Sequence, residues 1–188
     1  MLTALILASL TAAAAAPPAP AHAVQPAAAV TPPGFLQMFV AGVMPTSQGH
    51  TLVLVNPDEE ILLPVGVDLP EALTIFGRLE QKTSPRPLTH DLLDKVVGAL
   101  GAEVVRVQIG DLVDGVFIAT VFLLKAKNAE PFALDARASD AVAVALSAQA
   151  PIFVSRGVVG RAAMTREDLK HLPSRAEPAP APGKAFDL

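Results

Sequence analysis

Residues 134–143 read LDARASDAVA, and within this stretch a strand pattern changes to a helix pattern. Residues 132–135 alternate in polarity as a strand does. Residues 140–148 are apolar on nearly all sides, which predicts a buried helix, and Ser139 is the expected N-cap of that helix. The end of a strand therefore lies next to the start of a buried helix.

Three charged residues lie at this junction. Asp135 and Arg137 have the same parity on the extended segment, so both point to one side of the strand, and Asp140 follows in the first helical turn. One interpretation is structural, a salt bridge between Arg137 and Asp140 beside a capped helix. The other is a site in which Asp135, Asp140 and Asp91 share a divalent cation, because carboxylate oxygens suit magnesium or manganese.

A second polar cluster, RPLTHD at residues 86–91, also precedes a helix pattern. Thr89 is the expected N-cap, which puts His90 and Asp91 in the first turn. The helix dipole and Lys95, four residues on, explain Asp91 structurally. His90 has no such explanation. It is a candidate general base or metal ligand, although a lone histidine in a sequence is more often neither.

The composition limits the classes of protein that fit. The chain has 188 residues, of which 52% are hydrophobic and 17% charged, so it is long enough for one domain with a real core and is not a disordered chain. The net charge is -4, unlike the basic balance of a typical nucleic-acid binder, so any contact with nucleic acid must be local. The absence of cysteine excludes disulfides and thiol nucleophiles.

The two ends of the chain differ from its middle. Residues 1–23 form an apolar, alanine-rich run followed by a small-x-small cleavage pattern, which predicts a signal peptide that is too short to span a membrane. Cleavage would make the protein periplasmic or secreted. Without cleavage, an Ala/Pro leader would precede a cytoplasmic protein. Residues 24–34 are predicted to be a linker, residues 35–172 the folded domain, and residues 173–188 a disordered Pro/Ala tail.

Within the domain, strand and helix patterns do not alternate strictly, so the predicted class is α+β. We expect a single domain with a mixed, largely antiparallel sheet packed with about three helices. Asp114-Gly115 predicts a tight hairpin turn, and Asp68, Pro70 and Glu71 predict a helix start. The predicted strands are 36–44, 51–55, 61–65, 104–109, 116–124, 132–135 and 151–154, and the predicted helices run from Asp68 to about 81, from Thr89 to Leu100, from 140 to 148 and, exposed, from 165 to 172.

Four segments together resemble the bifunctional nuclease domain family: LLPVG at 62–66, residues 86–93, DLVDGVFIA at 111–119, and residues 134–143. The resemblance covers about residues 35–164. It implies an α+β fold that commonly assembles as dimers or larger oligomers, with DNase and RNase activity in some members. The positions most similar to the family's motifs are Arg86, Thr89, His90, Asp91, Asp135, Arg137, Ser139 and Asp140.

The chain departs from the family pattern in two places. Ala138 stands where a proline is common, and the helix from Asp68 carries only Glu71 and Glu80 where the family often has more glutamate. Because of the second departure, a site that uses a carboxylate on that helix has only these two residues as candidates.

Two functional hypotheses follow. The first is a nuclease that hydrolyses the phosphodiester bonds of DNA and RNA with little sequence specificity, assisted by magnesium or manganese. In it, His90 is the base, the three aspartates bind the metal or act electrostatically, and Arg86 and Arg137 stabilise the phosphate oxygens. The alternative is a noncatalytic oligomeric binding or assembly module in which the same residues form a buried polar junction.

Overall fold

A computed structural model describes residues 30–47, 49–82, 84–125, 130–165 and 168. The predicted signal peptide, most of the linker and the predicted tail lie outside these ranges. These assignments therefore stay predictions.

Eight strands form a single sheet in the order β6-β5-β4-β7-β1-β2-β3-β8. Neighbouring strands are antiparallel except β4 and β7, which are parallel. This confirms the predicted mixed, largely antiparallel sheet. The strands are β1 (Phe35–Thr46), β2 (Gly49–Asn56), β3 (Ile61–Val67), β4 (Glu103–Val113), β5 (Val116–Leu124), β6 (Phe132–Arg137), β7 (Ile152–Ser155) and β8 (Met164–Thr165).

The described residues form four helices, α1 (Leu69–Leu79), α2 (Thr89–Ala99), α3 (Ala138–Ala148) and α4 (Arg156–Ala162). The first three were predicted, but α4 and β8 were not. The start of α4 is set by Ser155, whose hydroxyl accepts a hydrogen bond from the Val158 amide at 3.1 Å. The predicted helix at 165–172 lies mostly outside the described residues. None of the described helices is long and apolar enough to cross a lipid bilayer.

Strand β6 leads into α3 without a loop, because β6 ends at Arg137 and α3 begins at Ala138. The N-cap position is Arg137, in an extended conformation, so the prediction of Ser139 as the cap was wrong. Ser139 is instead the second residue of the helix and is buried. Likewise, the N-cap of α2 is Leu88 rather than Thr89. The direct junction fixes Arg137 at the end of a sheet strand.

The core lies between one face of the sheet and helices α1 and α3. Alternate residues of β1, β2 and β3 are buried, and α3 contributes an almost continuous buried run that packs against α1, β4 and β5. By contrast, α2 has no buried residue. The largest fully buried side chains are Phe153, Met38, Leu52, Leu54, Leu63 and Ile75. Helix α2 is therefore attached to the core rather than part of it.

The predicted turn at Asp114-Gly115 joins β4 and β5. Both residues have positive φ, 50° and 80°, as the two central positions of a tight type I′ hairpin require. Glycine adopts this conformation without steric cost, and aspartate tolerates it.

The position of the core predicts opposite results for two leucine truncations. Leu54→Ala should lower the free energy of unfolding by about 2–5 kcal/mol, because Leu54 is fully buried and its loss leaves a cavity. Leu92→Ala is the matched control, since Leu92 on α2 is 59% exposed, and it should cost less than about 0.5 kcal/mol. Urea unfolding of dilute protein measures both. Equal losses would contradict this location of the core.

Candidate functional site

Arg137 joins two carboxylates from different helices. Its Nη2 donates to Glu71 Oε1 on α1 at 2.5 Å, and its Nε donates to Asp140 Oδ2 on α3 at 2.9 Å. The hydrogen bond to Asp140 and then that to Glu71 raise the pKa of Arg137. Its Nη1 lies 3.9 Å from Asp68, too far for a hydrogen bond. One edge of the guanidinium is thus fixed by carboxylates, and Nη1 is left accessible.

His90 on α2 completes this cluster. Its Nε2 lies 3.0 Å from Asp140 Oδ1, and its side chain is only 12% exposed. A carboxylate only accepts hydrogen bonds, so Nε2 carries the proton and Nδ1 remains as the second ring nitrogen. Burial acts to raise the pKa of Asp140, but hydrogen bonds from Arg137 and His90 outweigh it and lower that pKa. Asp140 therefore stays ionised between its two partners.

A cavity of about 720 Å³ adjoins the cluster. Aliphatic side chains of α1 and α2 form much of its wall. Its ionisable lining is Glu71, His90, Asp135, Arg137 and Asp140, and Thr74 and Thr89 add two hydroxyls. Asp135 is exposed and has no hydrogen bond or ion pair with any described residue. The structure thus brings four predicted site residues, His90, Asp135, Arg137 and Asp140, to one cavity.

Asp91 and Arg86 are placed elsewhere. Asp91 accepts a hydrogen bond from the Leu88 amide at 2.9 Å, lies 3.5 Å from Arg78 and lines a different cavity. The Leu88 hydrogen bond, helped by Arg78, lowers the pKa of Asp91 against the opposing effect of burial. Arg86 is exposed and lines neither of these cavities. Asp91 thus stabilises the start of α2, and the predicted grouping of Asp91 with Asp135 and Asp140 is not present.

The predicted three-aspartate metal site does not fit this arrangement. Across the described parts of the chain, no three or more His, Asp or Glu side chains are grouped so that they could hold a metal ion. Both oxygens of Asp140 already accept hydrogen bonds, from His90 and Arg137. Asp135 is the carboxylate in the cavity that keeps both oxygens available. Mg²⁺ in proteins often uses only one or two carboxylates together with substrate phosphates, and Asp135 fits that more limited role.

Glu71 is the site residue that sequence reasoning did not place. The sequence predicts Glu71 as part of a helix start and as one of two carboxylates on that helix, without a partner for it. In the structure its side chain contacts Arg137, and α1 has no side-chain cap. Glu71 is 8% exposed, and its Oε2 is buried without a hydrogen-bond partner. The signal was its helical spacing: Glu71 lies one turn before the buried Ile75, on the face of α1 that packs inward.

Comparison with known proteins places the chain in a family. Residues 52–167 match the bifunctional nuclease domain. The chain therefore belongs to the bifunctional nuclease domain family, as its motifs indicated.

Two relatives show how far the similarity extends. An uncharacterized protein of Mycobacterium tuberculosis (strain CDC 1551 / Oshkosh) is 35% identical over 117 residues, which cover 62% of this chain and 68% of that protein. Bifunctional nuclease 1 of Oryza sativa subsp. indica is 28% identical over 111 residues, which cover 58% of this chain but only 34% of the rice protein. Residues 52–167, which match the family, include the candidate site.

The lowered pKa of Asp140 predicts how stability depends on pH. Asp140 is ionised in the fold below its ordinary pKa of 3.8, so it stabilises the fold above about pH 4, and this contribution is lost as the pH falls through the folded pKa. Asp140→Asn should therefore be less stable than wild type at pH 6, and the difference should shrink on acidification. Urea unfolding between about pH 2.5 and 7 measures this. Asp58→Asn, in the exposed β2–β3 turn, is the matched control. A difference that is the same at every pH would contradict the ionised cluster.

Proposed function

We propose that this protein is a nuclease that hydrolyses phosphodiester bonds of DNA and RNA. The single observation that carries the proposal is the His90–Asp140 pair, 3.0 Å apart, beside the Arg137 guanidinium at one cavity. The proposal is supported by membership of the bifunctional nuclease domain family and by the name of the rice relative.

In the proposed reaction, His90 is the general base. Asp140 orients the imidazole through Nε2, so Nδ1 is the nitrogen that can take a proton from a water molecule. The water oxygen attacks phosphorus, the bond between phosphorus and one ester oxygen breaks, and that oxygen takes up a proton from solvent. The positive charge of the Arg137 guanidinium, at the edge of the same cavity, stabilises the negative charge on the non-bridging oxygens.

We propose separately that the reaction uses a divalent cation. The cavity is lined by three carboxylates, Glu71, Asp135 and Asp140, but by only one guanidinium, so a phosphodiester needs further positive charge to bind there. Asp135 would hold Mg²⁺ or Mn²⁺ together with the substrate phosphate, and the bound metal would supply charge neutralisation at that phosphate.

We further propose that the nuclease has little sequence specificity. The chain contains no tryptophan or tyrosine, and outside the charged cluster the cavity is lined mainly by aliphatic side chains, with Thr74 and Thr89 as its neutral polar ones. Recognition of base edges needs polar side chains, whereas contacts to the phosphate backbone carry no sequence information.

The nuclease proposal predicts the effect of two substitutions. His90→Ala should lower the cleavage rate of plasmid DNA and of RNA by about 100-fold, the usual contribution of a general base. Asp135→Ala should lower it by at least about tenfold in magnesium, and chelator should abolish the difference between this variant and wild type. Asp58→Ala, in the exposed β2–β3 turn, should cleave at the wild-type rate.

The assay should use tag-free protein with magnesium, manganese or chelator, in parallel for all variants. Equal cleavage by wild type and His90→Ala would identify a contaminating nuclease and overturn the proposal. Full activity in chelator would contradict the proposed role of the metal, but it would not affect the proposed role of His90.

A specific observation also supports the assembly alternative. The exposed side of α2 carries five apolar residues, each at least 45% exposed: Leu88, Leu92, Leu93, Val96 and Leu100. Such a patch is typical of a protein interaction surface. We propose that it contacts a second copy of the chain, which is compatible with catalysis in the cavity that α2 helps to line.

This interface predicts that Leu92→Glu shifts the protein toward monomer, because a buried charge in the contact is unfavourable. Sedimentation velocity over a range of concentrations measures the shift. Val113→Glu, at an exposed position on β4, is the control and should leave the distribution unchanged. A wild-type protein that is monomeric at every concentration would remove the assembly hypothesis.

The cellular location is also a proposal. We propose that residues 1–23 are cleaved, which would place the protein in the periplasm or outside the cell. The N-terminal sequence of the mature protein tests this directly, and a mature protein that retains residue 2 would contradict it.

A further inference from the structure

Arg137 lines a second cavity, of about 350 Å³, in addition to the one that contains His90. The polar residues of this second cavity are His50, Asp68, Arg137 and Ser139. Its remaining wall includes the tip of the β4–β5 hairpin at Gly115 and the end of β3. The proposed reaction uses none of His50, Asp68 or Ser139, so the cavity has no role in it.

The N-terminus of α3 lies at this cavity, where Ala138 and Ser139 contribute to the lining. The helix has 11 residues and no side-chain cap, because its N-cap is Arg137, which has no acceptor group. The first amides of a helix have no partner within the helix, and they carry the positive end of its dipole. This end of α3 therefore favours a negatively charged group.

Ser139 is the independent observation that points to a ligand. It is 8% exposed, and its side chain has no hydrogen bond with any described residue. Its hydroxyl oxygen is not among the fully buried side-chain atoms that lack a partner in the described residues, so it faces the cavity, and its hydrogen-bond partner must come from there. A ligand oxygen in the cavity would supply the missing partner.

Arg137 supplies a further donor. Its Nε and Nη2 are held by Asp140 and Glu71, but Nη1 has only Asp68 nearby, at 3.9 Å. The Asp68 side chain is 82% exposed, so water screens its charge. The guanidinium is thus held in place while one nitrogen can bind an anion.

We propose that this cavity binds a phosphate group through the Ser139 hydroxyl, the first amides of α3 and Arg137 Nη1. Phosphate has several acceptor oxygens directed to different sides, which suits donors that converge from a helix end, a hydroxyl and a guanidinium. Because Arg137 lines both cavities, the bound group would be the phosphate next to the scissile one. This last point rests on the proposed nuclease function, whereas phosphate binding itself does not.

The test measures binding without cleavage. NMR titration of the full chain with inorganic phosphate, and with a trinucleotide whose two linkages are cleavage-resistant phosphorothioates, should move the Ser139 amide signal. Ser139→Ala should weaken both affinities about tenfold, the loss of one hydrogen bond to a charged acceptor. Ser147→Ala, at the exposed end of the same helix, is the control and should bind like wild type. Asp68→Asn should bind more tightly, since it removes a negative charge from the cavity.

Circular dichroism of each variant shows whether it is folded. If Ser139→Ala does not fold, Asp68→Asn still tests the site. Equal affinities in Ser139→Ala and Ser147→Ala, or weaker binding by Asp68→Asn, would overturn the phosphate site. Binding of inorganic phosphate but not of the trinucleotide at Ser139 would confirm the site and contradict its place along a nucleic acid. Ser139-dependent binding by a protein that does not cleave would uphold this inference and overturn the nuclease proposal.

Discussion

The hydrogen bonds of Arg137 to Glu71 and Asp140 are the interaction on which the candidate site depends. Since β6 passes directly into α3 at this residue, the guanidinium is fixed by the sheet rather than by a mobile loop. It holds α1 through Glu71. Through Asp140 it also sets the oxygen that contacts His90 on α2. Arg137, at the end of β6, is thus connected directly to α1 and α3, and to α2 through Asp140.

A second polar bridge, centred on Arg78, connects the same three helices. Arg78 on α1 donates to the Ala143 carbonyl on α3 and to Asp94 on α2 at 2.6 Å, and Asp91 lies nearby. Since α2 has no buried residue, such bridges help to attach it to the core, together with the partly buried Val97. Arg78 also lines a cavity, but its guanidinium is occupied by helix-to-helix contacts, whereas Arg137 Nη1 has no hydrogen bond among the described residues and Arg137 lines two cavities. This difference favours a functional role for the Arg137 cluster in addition to a structural one.

Much of the fold was predictable because its signals are local. The Asp114-Gly115 turn, the alternation in β1 to β3 and the apolar run of α3 each depend on residues close together in sequence. The sequence did not predict the short elements α4 and β8. A seven-residue helix is too short to show a clear helical periodicity, and a two-residue strand has no alternation pattern.

The candidate site was predictable only in part. His90, Arg137 and Asp140 stood out because each lies at a helix start, but the partner of Arg137 on α1 is 66 positions away in sequence, and no local pattern connects them. Asp91 was grouped with the other aspartates by residue type. In the fold its neighbours are Leu88 and Arg78. Asp91 therefore stabilises the start of α2 and does not join the other aspartates.

The most direct test of the central claim is a double-mutant cycle on the rate of nucleic-acid cleavage, using His90→Ala, Asp140→Asn and the double variant. If Asp140 acts by orienting His90, the double variant should be no slower than His90→Ala alone, because residues that act as a unit are not additive. Losses that multiply would show that the two residues act independently. A wild-type protein without cleavage activity would contradict the account as a whole.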